Sequence, residues 1–219
     1  MMRAAGANLI LALGLFSVLA GFAPASPAAV PGKGAAVKKL PAPPPAEKGG
    51  KETAAEKEPS KADLLDGLLA RLKLAGDDPS AKVIAATIRR MWASPDSPSA
   101  GLLAAQARKA LKAGDAQTAV DILDLVVRRW PRFADAWRER AVARYMAGDA
   151  KGALRDLGRA LEIEPRHFEA LATKAAILQE LKRPGAAMDA YEQVLSIYPG
   201  MTPARRALKA LKLKNDQLL

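Results

Sequence analysis

Pro131, Pro165 and Pro199 stand 34 residues apart. The same step separates Ala107, Ala141 and Ala175, then Ala119, Ala153 and Ala187, then Val126, Ala160 and Val194. Gly114-Asp115 recurs as Gly148-Asp149. Five independent columns on one period define a chain of repeated units. Such units bury their apolar faces by stacking on one another, not singly.

Each column has a physical reason. Every unit reads as two amphipathic helices joined by a tight turn. Gly114 and Gly148 fall where the first helix ends and a left-handed residue is needed. Asp115 and Asp149 suit the N-cap of the second helix. The two alanine columns let paired helices approach closely. Larger residues fill the remaining space: Leu103, Ile122, Leu123 and Val126 in one unit, Trp137, Leu154, Leu157 and Leu161 in the next, Leu171, Ile177, Tyr191, Val194 and Leu195 in the last. The prolines follow the second helix, where a missing N–H costs little.

This pattern resembles the tetratricopeptide repeat (TPR). The match is strongest over 134–167, where Trp137, Ala141, Gly148, Ala153, Leu157, Ala160 and Pro165 all fit. Residues 100–133 fit with Leu103 in place of Trp. Residues 168–201 fit except that Lys182-Arg183-Pro184 replaces the Gly-Asp turn, with Pro184 opening the second helix. Trp137–Ala141 and Glu164–Phe168 are similar to stretches in secreted TPR proteins of alphaproteobacteria. The resemblance spans 62–219 and implies an all-α, right-handed superhelical solenoid of three clear repeats. A degenerate helix pair at 61–99 is expected to precede them, since Gly76-Asp77, Ala81, Ile88 and Trp92 repeat the spacing of Gly114-Asp115, Ala119, Val126 and Trp130 at a step of 38. The loop Ser94–Ser99 takes up the extra residues. Residues 202–219 read as an amphipathic capping helix with Ala204, Leu208 and Leu211 inward.

Residues 1–25 read as a cleaved secretory signal: Arg3, an uncharged apolar stretch from Leu9 to Phe22, then Ala23-Pro24-Ala25. Cleavage after Ala20 is the nearby alternative, and an uncleaved membrane tether the other. The chain has no cysteine, so a lipoprotein anchor, disulfides and zinc–thiolate sites are excluded. Residues 26–60 are Ala, Pro, Lys, Glu and Gly with almost no large apolar side chain, which makes a disordered spacer. A Pro-rich ligand for another domain is the sharper reading of Pro41–Pro45. The expected location is periplasmic or secreted.

No phosphate loop, nucleophile elbow or metal-binding helix motif is present, and neither a cofactor nor catalysis is expected. The single histidine, His167, is the one candidate base. Its place in an inter-unit turn favours packing or a hydrogen bond there. The pairs Asp121/Asp124 and Glu162/Glu164, interleaved with arginines, read as solvated surface. Net charge is +11, and residues 61–219 hold 27 Lys and Arg against 19 Asp and Glu. The charges are spread over many turns, which disfavours nucleic acid. An anionic polymer or membrane surface, met by the groove and by Arg205–Lys214, is the alternative to a protein partner.

In the resembled family the first helix of each unit lines a concave groove. That implies a partner-binding surface of Arg108, Leu111 and Lys112, then Arg138, Val142, Tyr145 and Met146, then Ala172, Ala176, Gln179 and Glu180. A basic wall, an apolar middle and a polar far end suit a protein or peptide segment with an apolar anchor and an acidic flank. The family's Lys/Asn carboxylate clamp is disfavoured, because Asn8 and Asn215 are the only asparagines. The sequence is silent on oligomeric state.

Overall fold

A computed structural model describes residues 59–217. The expected signal at 1–25 and the spacer up to residue 58 lie outside them. Among the described residues the chain is nine helices and no strand: α1 Lys61–Ala75, α2 Ser80–Trp92, α3 Pro98–Lys112, α4 Ala116–Arg129, α5 Ala134–Met146, α6 Ala150–Ile163, α7 Phe168–Glu180, α8 Pro184–Ile197 and α9 Thr202–Asp216.

The alanine columns form the seams of three helix pairs, α3/α4, α5/α6 and α7/α8. Ala107, Ala141, Ala175, Ala119, Ala153 and Ala187 all have 0% exposure. Side chains one size larger there would force the pairs apart. The third column, Val126, Ala160 and Val194, is equally buried.

The turn inside each unit is a Schellman motif. In α3, Gly114 N–H bonds to the Leu111 carbonyl and Asp115 N–H to that of Ala110, with Gly114 at φ 79°. Gly148 and Asp149 repeat this on Tyr145 and Arg144. The third unit keeps the motif without glycine: Lys182 and Arg183 bond to Gln179 and Leu178, and Lys182 is held at φ 56°. Pro184 is the first residue of α8, as expected. Asp115 and Asp149 cap α4 and α6 by accepting from Thr118 and Gly152 N–H. Between units, Pro131, Pro165 and Pro199 each sit second in a turn closed by an N–H to C=O bond, such as Phe133 to Trp130. That is a site where proline's fixed φ helps and its missing N–H is not used.

α9 caps the stack with Ala204, Leu208 and Leu211 inward, sharing a core with Tyr191 and Val194 of α8. The N-terminal pair does something the 38-residue step does not suggest. Leu69, Leu72, Ile84, Ile88 and Trp92 share one core with Phe168, Leu171, Tyr198 and Met201 of the last repeat and the cap. The core of α3 and α4 continues into α5 instead and holds no residue of the pair. Pro95 and Pro98 break the helical path between α2 and α3, and Lys61 bonds across to the Ser94 carbonyl (2.6 Å). The pair turns back to sit against α7–α9.

Candidate functional site

The first helices of the units, α3, α5 and α7, carry the residues expected to line the groove. Arg108 of α3 is half-exposed, and its Nη1 donates to Glu139 Oε1 of α5 at 2.9 Å. Arg138 Nε donates to Asp135 Oδ1 at 2.6 Å, and its Nη2 lies 3.5 Å from Glu139 Oε1. Arg108 and Arg138 are thus brought together over two carboxylates, and the expected basic wall is partly neutralised. Leu111 and Tyr145 are half-buried against their units' cores, and Val142 and Ala172 are half-buried. Gln179 accepts from the Tyr191 hydroxyl at 3.4 Å. Lys112, Met146, Ala176 and Glu180 are exposed. Burial, and then the charge of Glu180 on α7, push the Tyr145 phenol up.

Several titratable residues, most of them not singled out by the sequence reading, are buried. Asp135, Glu139, Arg140, Asp156 and His167 are each under a tenth exposed. Arg140 grips Asp156 with two nitrogens, at 2.8 and 2.7 Å, reaches Asp124 of α4 at 2.6 Å, and lies 4.6 Å from the Trp137 ring centre. Arg144 adds a bond to Asp156 at 3.0 Å. Asp124 is therefore a bridge between units, not free surface. Glu164, too, is taken up by Arg166 at 3.0 Å. A signal for Asp156 was present: it stands in a column with Ile122 and Ala190, and a charge in an apolar column calls for a buried partner.

His167 is the N-cap of α7, as its position in the turn implied. Its Nδ1 accepts from Ala170 N–H at 3.3 Å, so Nε2 carries the proton in the neutral ring. Nε2 points to Asp135 Oδ1 at 3.5 Å. Burial works to raise the Asp135 pKa, but Arg138 and the His167 ring outweigh it and hold the carboxyl below the usual range. Glu139 behaves oppositely. Burial, then the charge of Asp135, push it up to about 7 against the pull of Arg138 and Arg108. Such a cluster holds helices in register; it places no nucleophile beside a base on an open surface.

These pairs of helices, stacked with one exposed face of first helices, define a helical-repeat protein of 34-residue units. The chain belongs to the tetratricopeptide-repeat family. The family's model matches residues 144–212. A TPR repeat-containing protein of Rhizobium etli is 32% identical over 150 residues, which cover 68% of this chain and 74% of that protein. Among solved structures, the first TPR of Spaghetti (RPAP3) bound to an HSP90 peptide aligns with TM-score 0.53 at 22% identity, over 55% of this chain and 96% of that one. MamA aligns with TM-score 0.51 at 20% identity, over 71% and 81%. The Yersinia enterocolitica chaperone SycD with a YopD peptide aligns with TM-score 0.52 at 13% identity, over 55% and 97%.

Proposed function

We propose that this protein is a non-catalytic adaptor of the bacterial cell envelope that holds a protein or peptide segment on the face formed by α3, α5 and α7. The observation that carries the reading is the set Met146, Ala176 and Glu180, exposed on the successive first helices α5 and α7. They offer an apolar contact and then an anion. A segment with an apolar anchor followed by a basic residue matches it. The repeat proteins bound to an HSP90 peptide and to a YopD peptide use the same fold for such a task.

The test uses the exposed positions, because Arg138 is committed to buried carboxylates and its loss would damage the fold. Met146→Glu and Ala176→Glu should cut capture of the partner from an envelope extract on the order of tenfold or more, with the helical spectrum unchanged. Equal capture by both variants removes the groove from the reading. The envelope location is tested separately by fractionation and by sequencing the mature N-terminus, expected at Ser26. Retention of Met1 in a cytoplasmic fraction overturns it.

A second reading, binding of an anionic membrane surface, draws on exposed Arg206, Lys209 and Lys214 along α9. Arg205 and Lys212 are spent on Asp77 and Glu192, which leaves this face a weaker cation than its sequence implies. Binding to anionic vesicles that does not fall with salt eliminates it.

A further inference from the structure

The seat of α1–α2 is built from α7, α8 and the two proline turns that precede α7 and α9. Trp92 stacks on His167 with ring centres 4.1 Å apart and meets Phe168 at 4.9 Å. Arg89 Nε lies 2.8 Å from Glu169 Oε1. Glu169 stands one turn before Ala172 and two before Ala176, on the stripe of α7 that the family's register directs to the concave side. α2 therefore covers the start of that stripe. At the other end of the pair, the Gly76 carbonyl meets Gly200 so closely that a methyl group at Gly200 would collide with it.

The fit of this seat is incomplete. Trp92 Nε1 is buried with no hydrogen-bond partner in the protein and keeps its desolvation cost, while His167 Nε2 has only a long approach to Asp135 Oδ1, 3.5 Å. The outer ion pairs, Arg166 with Asp66 and Arg205 with Asp77, are exposed to water, where such pairs hold little. The segment joining the pair to the stack is the short run Ala93–Ser97. Two of the three apolar cores contain no residue of α1 or α2, so those parts of the stack do not need the pair.

We propose that α1–α2 is a detachable occupant of this end of the concave face, able to leave its seat while the other repeats stay folded. The vacated seat then accepts an amphipathic helix with the chemistry of α2: branched aliphatics four residues apart, then an arginine and a tryptophan. The contact lies within the chain, so the idea stands or falls independently of the external partner.

The experiment compares the full chain with Gly200→Ala, which blocks the turn contact, and Arg89→Glu, which breaks the pair with Glu169. Hydrogen exchange reads the amides of α1–α2 against those of α5–α6. A labelled peptide spanning residues 78–93 reports whether the seat is open. In both variants the α1–α2 amides should exchange faster while α5–α6 keep their protection. The peptide should bind each variant on the order of tenfold more tightly than the parent, since the competing internal occupant is gone. Three results overturn the proposal: a pair that stays as protected in both variants as in the parent, a variant in which α5–α6 melt together with α1–α2, or a released pair whose seat takes up no peptide.

Discussion

Lys182 carries the consequence of a lost glycine. Its backbone takes the left-handed conformation that Gly114 and Gly148 take in the other units, and its N–H closes the same Schellman bond. A side chain at that φ crowds its own carbonyl, at about 1 kcal/mol. Lys182→Gly should therefore stabilise the protein by roughly 0.5–1 kcal/mol, less the entropy glycine adds to the unfolded chain. Denaturant melting with an unchanged slope checks it; a loss of stability would mean that Lys182 makes a compensating contact. The turn was legible in the sequence because Pro184 marks the next helix. Its left-handed residue was hidden, since lysine gives no hint of positive φ.

At the level of helices, Arg140 joins three of them: its own α5, α4 through Asp124, and α6 through Asp156. Removing the guanidinium leaves the buried Asp156 with Arg144 as its one remaining cation, which costs about 2–3 kcal/mol, less than the loss of a sole partner. Arg140→Met should lose on that order, and adding Asp156→Leu should restore most of it. A double-mutant cycle in urea reads the coupling; additive losses would show that the pair contributes nothing jointly. Sequence periodicity found these helices and their seams because alanine burial repeats every unit. It missed the ion pairs because Glu139 and Asp156 each occur once, with no column mate of like charge, while Arg140, followed by Lys174 one unit on, reads as one of many surface cations. The seat of α1–α2 escaped for a related reason. Gly76-Asp77 and Ala81 do carry the repeat's local pattern, but the pattern describes how the two helices pair, and says nothing of what they pack on.

Two of the buried carboxylates, Glu139 and Asp135, tie the stability of the whole molecule to pH. Glu139, at about 7 when folded, sits above the ~4.3 of an unfolded glutamate. The folded state therefore keeps a proton that the unfolded chain gives up. The stability tied to it is full below about pH 4 and is lost as pH rises to 7, about 4 kcal/mol in all. Asp135, held below its usual range, acts at the acid end, where its contribution disappears as pH falls. Between pH 5 and 8 the Glu139 effect stands alone of the two. Thermal midpoints of the parent should fall over that window by several degrees, and Glu139→Gln, which can still accept from Arg108, should flatten the trend. A midpoint as steep in Glu139→Gln as in the parent would assign the slope elsewhere. That α3, α5 and α7 are the first helices of stacked units was legible from the repeat alone. The pairing of Arg108 and Arg138 was not, because both looked free until α5 brought Asp135 and Glu139 beneath them.

The docking of α1–α2 also orders events during synthesis. A plain repeat stack can fold from its first unit onward as the chain emerges. Here the first helices made have their seat among the last: Gly76 waits for Gly200, and Asp77 for Arg205. Until the ribosome has delivered α7 and α8, Leu69, Leu72, Ile84 and Ile88 lack most of their partners. A nascent chain stalled before α7 would carry α1 and α2 with their apolar faces sticky and unhoused.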